Sequence, residues 1–175
     1  ADASIDGKAL PGSAIKIDKK SELLTLALPS ELAAGEHTLA LSFAGKINQQ
    51  GQGLFYIPYQ EQGSGAKKVM LGSQFEATDA RRFFPCWDEP VFRARFQLTA
   101  VVPENWLAVS NMPIESEKKI VGGKEVRFAT TPLMPSYLNV FVAGELDLIW
   151  HLGAGRGHRG AVEGREVDAV GLAVG

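Results

Sequence analysis

The chain has 175 residues, 45% of them hydrophobic, enough for one domain with a sizeable core and an appendage. A net charge of −2 and a pI near 6.0 supply no electrostatic reason to bind nucleic acid. No apolar run approaches the ~20 residues of a membrane helix, and a single cysteine, Cys86, excludes an internal disulfide and a thiolate zinc site.

The basic pairs Lys19-Lys20, Lys67-Lys68 and Lys118-Lys119 are scattered and read as solvated surface. Cys86, between Pro85 and Trp87, reads as a small buried hydrophobe rather than a reactive thiol. No Asn-x-Ser/Thr sequon points to a glycosylated ectodomain. The start, Ala1-Asp2-Ala3-Ser4-Ile5, has neither Met nor a signal-peptide pattern and reads like mid-chain sequence. A soluble protein, cytoplasmic or periplasmic, is the expectation.

Up to residue 148 the hydrophobic period is that of strands. Ile15 and Ile17 alternate with polar neighbours, then Leu24, Leu26 and Leu28, then Leu39, Leu41 and Phe43. Phe96, Leu98, Ala100 and Val102 follow, and later Leu138, Val140 and Val142. Such alternation predicts half-buried antiparallel strands with one face on the core. Pro29-Ser30, Ala44-Gly45, Gly63-Ser64-Gly65 and Asn111-Met112-Pro113 mark turns between them. Ile120-Val121-Gly122-Gly123-Lys124-Glu125-Val126 predicts a hairpin whose two-residue turn uses paired glycine at φ > 0. Only 30–34 and 78–84 are candidates for a helical turn. The fold class is therefore all-β: an antiparallel β-sandwich or saddle-like curved sheet with little helix.

Two units are predicted: a β domain over 1–148 and a Gly-rich tail over 149–175. From His151 the tail has no aromatic residue and no lysine, and seven of its 25 residues are glycine, without a hydrophobic period. It reads as a flexible linker or as an out-of-frame read of GC-rich codons. Either origin predicts little fixed structure.

One connection is too richly furnished for an ordinary β-domain loop. Residues 74–90 hold carboxylates, the pair Arg81-Arg82 and the aromatics Phe75, Phe83, Phe84 and Trp87 between two apolar runs. Loops on a rigid scaffold are where binding residues concentrate. Glu76 shares the strand alternation of Gln74, so both side chains should project to one side. A Gln and a Glu so placed suit a cationic group, because a carboxylate accepts charge-assisted hydrogen bonds. The competing reading pairs Glu76 with Arg81 or Arg82 inside the loop. Asp79, Arg81, Arg82, Asp88 and Glu89 are expected to brace the loop through guanidinium–carboxylate pairs, and Phe83, Phe84 and Trp87 to serve as core anchors. Pro85 and Pro90 stop the segment from continuing as strand or helix. The histidines His37, His151 and His158 share no ligand spacing, and there is no His-Glu-x-x-His, no Gly-x-Ser-x-Gly and no P-loop. The residues describe a β scaffold with one functional loop and no catalytic set.

Those residues carry a family resemblance. Ser73-Gln74-Phe75-Glu76-Ala77-Thr78-Asp79-Ala80-Arg81-Arg82, followed by Phe84-Pro85-Cys86-Trp87-Asp88-Glu89-Pro90, resembles the N-terminal domain of the aminopeptidase N family of zinc metallopeptidases. Gly53-Leu54-Phe55-Tyr56 upstream matches in collinear order, as do Ala108-Val109-Ser110-Asn111-Met112-Pro113 and Thr130-Thr131-Pro132-Leu133-Met134-Pro135-Ser136-Tyr137-Leu138 downstream. Phe141-Val142-Ala143-Gly144-Glu145-Leu146-Asp147 closes the match, which runs over 5–148. The resemblance implies a saddle-like β domain packed on a thermolysin-like catalytic domain. It also implies that Glu76 binds the free α-amino group of a peptide substrate and that Gln74 lines the pocket for its first side chain. The epoxide-hydrolase branch carries glutamine at the position of Glu76, so the glutamate favours a plain aminopeptidase. The family's Gly-x-Met-Glu-Asn strand and its His-Glu-x-x-His helix do not follow Asp147, and first strands are expected before Ile5. Zinc, its ligands and the general base would then belong to a domain outside this sequence, and the chain alone would be inactive. Two other readings stay open: a non-catalytic β-sandwich interaction module, and an unrelated β-sandwich binding domain.

Overall fold

The computed structural model describes the backbone of residues 2–151, 160–162, 165–167 and 169–173, and side chains through residue 147. Two sheets enclose the core. In the first, β6 (Gly53–Gln60) pairs with β7 (Lys67–Gln74), β7 with β12 (Phe141–Gly144), and β12 with β9 (Leu107–Ser110). In the second, β10 (Ile114–Ile120) pairs with β11 (Gly123–Phe128) and β11 with β8 (Thr99–Val102). Alternation along these strands turns Val102, Ala108, Val126, Phe128, Phe141 and Ala143 into one buried cluster, flanked by Leu54, Leu71, Leu98 and Trp106. Every strand ladder is antiparallel and the sheets stay open. The all-β expectation holds.

Two smaller units lie earlier in the chain. β1 (Asp2–Ile5) stands between β2 (Lys8–Ala9) and β5 (Leu39–Ser42), while β3 (Ile15–Asp18) and β4 (Leu23–Leu26) form a hairpin. Their alternation was expected to place one face on a core. Ile17 and Leu23 instead remain 64% and 60% exposed, and with Leu26, Leu39, Leu41 and Phe43 they front an open groove of about 610 Å³. The period orients a strand's apolar face but does not supply the layer that covers it.

The predicted hairpin forms between β10 and β11, with Ile120 opposite Gly123. Its turn residues are Val121 and Gly122 rather than the two glycines, and Gly122 alone carries φ +85°. Gly123 is needed for another reason: a Cβ there would come within 2.3 Å of the Val102 carbonyl oxygen on β8. The strand expected through Leu138 starts later. Ser136–Leu138 is a 3₁₀ turn, and β12 begins at Phe141. Residues 30–34 form no helical turn, whereas Ala80–Arg82 does, within the expected 78–84. The Gly-rich end lies largely outside the described residues. Where its backbone is described, β13 (Asp147–His151) pairs with β16 (Ala169–Ala173), and β14 (Gly160–Val162) with β15 (Arg165–Val167).

Candidate functional site

The loop 74–90 leaves the end of β7, where Gln74 pairs with Gly53 on β6. The strand ends at Gln74, but burial still alternates over the next two residues. Phe75 points inward and is 1% exposed, while Gln74 and Glu76 on either side of it are exposed. Two exposed polar residues thus flank a buried anchor. Phe75 stacks on Phe83 at 5.5 Å between ring centroids, and Phe83 stacks on Phe141 of β12 at 6.5 Å. Phe84 meets Phe75 edge-on at 6.4 Å and Phe96 at 6.0 Å. The loop base is also tied to β12 directly, because the Phe141 N–H donates to Ser73 Oγ at 2.8 Å. The Glu76–Ala77 peptide is cis.

Past Glu76 the chain turns back on itself. The Asp79 N–H donates to the Phe75 carbonyl at 2.9 Å, and the N–H groups of Phe83 and Phe84 both donate to Ala80 O. Ala80 is fully buried in this turn. Gly53, at φ +66°, passes so close that a Cβ on it would sit 2.6 Å from Arg82 Cβ. The absence of a side chain at 53 lets the turn dock on β6.

The charged residues pair in a definite order. Asp88 is buried, and its Oδ2 accepts both Arg81 Nε at 2.9 Å and the Arg81 backbone N–H at 3.0 Å. Its Oδ1 accepts the Ser136 hydroxyl at 2.9 Å. Arg82 Nε donates to Asp79 Oδ1 at 2.5 Å. Glu22, in the β3–β4 turn at φ +56°, lies 3.7 Å from Arg81 and 3.6 Å from Arg82. Asp88, with the charges of Glu22 and Glu89 in lesser roles and against the opposing effect of burial, raises the pKa of the Arg81 guanidinium above its ordinary value. Glu89 departs from the expected pattern. Its carboxylate meets no cation within ion-pair distance among the described residues, and it joins the loop through its carbonyl, which accepts the Phe92 N–H at 3.0 Å. Both arginines are engaged by Asp88, Asp79 and Glu22, and Glu76 forms no ion pair among the described residues. Its carboxylate is exposed and available.

Sequence reasoning missed Glu22 and Ser136. Each reaches the loop from an element about 50 or more residues away, a separation at which spacing carries no signal. It also misjudged Trp87. That ring is 70% exposed and lines the groove beside β3 and β4, outside the Phe75–Phe83–Phe84 stack. Cys86 is half-buried, and burial, aided by the Asp88 charge, pushes its thiol up to about 12. A thiol so shifted is not a nucleophile near neutrality. The groove is adjacent to the loop's bracing side and does not include Gln74 or Glu76.

Residues 3–138 match the family model described as the peptidase M1 N-terminal domain. The chain belongs to that family. It is 42% identical over 147 residues to aminopeptidase M1-D of Oryza sativa subsp. japonica, an alignment covering 84% of this chain and 17% of the relative. Aminopeptidase N of Acetobacter pasteurianus is 43% identical over 133 residues, 75% of this chain and 37% of that protein. The puromycin-sensitive aminopeptidase of Caenorhabditis elegans is 38% identical over 146 residues, 79% and 15% respectively. The chain spans between 15% and 37% of the length of these relatives. Among the described residues no group of three or more His, Cys, Asp and Glu has the arrangement of a metal site. His37 is committed to Asp6 and the Ala33 carbonyl, so the described side chains do not fit zinc. His151 and His158 fall outside the described side chains. Among the described residues no helix is long and apolar enough to cross a membrane.

Proposed function

We propose that this chain is the substrate-side part of a zinc aminopeptidase, with Glu76 gripping the α-amino group of a peptide and Gln74 bordering the first side chain. The observation that supports the reading is the pair of exposed side chains flanking a buried phenylalanine, with the Glu76 carboxylate left free by arginines engaged elsewhere. An N-terminal ammonium offers positive charge and three donors to that carboxylate. An interior peptide nitrogen offers neither charge nor more than one N–H, so the same carboxylate discriminates for chain ends. Asp79, Arg81, Arg82 and Asp88 hold the segment without touching substrate. Zinc, in this reading, belongs to a catalytic domain that packs against the loop and completes the site from the other side.

In the longer enzyme, Glu76→Gln keeps the shape and removes the charge. The expected loss in kcat/KM is about 10- to 100-fold, the equivalent of one charge-assisted hydrogen bond. Steady-state kinetics on aminoacyl anilides measure it, and an unchanged kcat/KM rejects the role of Glu76. The 175-residue chain alone is expected to release no chromophore from the same substrates. Zinc-dependent release by the purified chain would overturn the assignment of the metal to another domain.

A second reading rests on the apolar groove and the exposed Trp87: an M1 N-terminal domain kept as a binding module without its peptidase. The downstream coding sequence discriminates. A His-Glu-x-x-His in any frame supports the composite enzyme, and its absence supports the module.

A further inference from the structure

The β1–β2 turn and the irregular connection 27–38, which joins β4 to β5, meet at one side-chain pair. Asp6, at φ +50°, exchanges backbone and side-chain bonds with that connection. Its N–H donates to Thr38 O at 2.8 Å, and its Oδ1 accepts the Thr38 N–H at 2.8 Å. Its Oδ2 lies 2.7 Å from His37 Nδ1. The other ring nitrogen, His37 Nε2, lies 2.8 Å from the Ala33 carbonyl oxygen. A carbonyl oxygen and a carboxylate can only accept. A neutral imidazole has one N–H and satisfies one of them, whereas the imidazolium donates to both.

We infer that His37 in its imidazolium form is a pH-operated clasp that ties the 27–38 connection to the β1–β2 turn. Losing one proton leaves a ring lone pair facing an acceptor at hydrogen-bond distance, and the segment bearing Ala33 releases. The connection links strands whose Leu24, Leu26, Leu39 and Leu41 line the apolar groove, so the clasp also sets how tightly those walls are held together. Besides the pair itself, Lys8 on β2 acts on Asp6, and Glu31 and Glu36 lie exposed on the connection.

The Ala33 carbonyl, followed by Asp6, raises the pKa of His37 above its ordinary 6.5. A raised pKa in the folded chain stabilises below 6.5 and loses that contribution as pH climbs through the raised value. The Thr38 N–H, followed by His37, lowers the pKa of Asp6 below 3.8, so its contribution is present above 3.8 and lost as pH falls through the lowered value. The clasp is therefore closed between 3.8 and 6.5 and opens on the alkaline side through His37.

Nitrogen NMR of the His37 ring in the unmodified chain, from pH about 5 to about 9, tests the charge state directly. Amide exchange of Thr38, corrected for its intrinsic pH dependence, reports the mechanical consequence. The expected result is a ring that titrates above 6.5 with both nitrogens protonated below it, and a several-fold fall in Thr38 protection that tracks the titration. In His37→Gln the protection should be low and indifferent to pH over that range, and Asp6→Asn should lower the pKa of the ring while leaving the part of the rise that comes from the Ala33 carbonyl. A ring that titrates at or below 6.5, or a Thr38 protection that ignores the ring, overturns the clasp. Neither measurement involves Glu76 or peptidase activity, so failure here leaves the aminopeptidase reading untouched.

Discussion

Phe75→Ala is expected to lower the unfolding free energy by about 4 kcal/mol, within the range for truncating a buried phenylalanine. The side chain is 1% exposed and sits between the stacked ring of Phe83 and the edge of Phe84, with Phe141 one ring further in. A void there removes transfer free energy and the aromatic contacts together, and the β7–β12 sheet on which it rests cannot collapse into the space. Urea unfolding followed by circular dichroism measures the loss, which is a large fraction of the stability of an ordinary domain. Phe75→Leu should cost much less, on the order of 1.5 kcal/mol. A loss below 2 kcal/mol for the alanine variant would mean that the loop repacks, and that Gln74 and Glu76 are not held by this anchor.

Asp88→Ala is expected to cost about 3 kcal/mol, near the lower end for breaking a buried ion pair because water still reaches Arg81. The carboxylate accepts three hydrogen bonds, two from Arg81 and one from Ser136, and its removal leaves a guanidinium whose side chain is only 27% exposed with the more distant Glu22 as its ion-pair partner. Ser136→Ala should cost about 1 kcal/mol, the net value of one hydrogen bond. The two losses should not add, because removing Asp88 already deprives the Ser136 hydroxyl of its partner. A double-mutant cycle from denaturant unfolding measures the coupling. Additive losses would place Ser136 outside the network. The effect on substrate should be indirect: Asp88 orders the turn, and Glu76 inherits its position from that order.

The loop illustrates how much of a site is legible in one dimension. The exposure of Gln74 and Glu76 was readable because alternation along a strand is a local property, whereas the anchoring role of Phe75 was not read. The residues i and i+2 share a face whatever the rest of the chain does. Asp79, Arg81, Arg82 and Asp88 were readable as a group because opposite charges a few residues apart in a turn find one another. Glu89 was over-read for the same reason: proximity in sequence does not aim a carboxylate. Glu22 and Ser136 were illegible, since each enters the network by a long-range approach that no local period encodes.

The sequence by itself determined the class of the fold, the hairpin at Ile120–Gly123 in all but its turn residues, and the likeness to M1 N-terminal domains. All of these rest on short-range regularities: period, charge and motif. Only the tertiary structure decided which apolar faces are covered. The core strands β7, β8, β9, β11 and β12 bury theirs in a sandwich, whereas β3, β4 and β5 present the same alternation to an open groove. Burial requires an opposing layer, and the presence of that layer is a property of the assembled chain. The same holds for the loop that carries Glu76. Its residues raised the expectation of a binding segment, but the free carboxylate beside a buried phenylalanine, with both arginines occupied elsewhere, exists only once β6, β12 and the β3–β4 turn have converged on it.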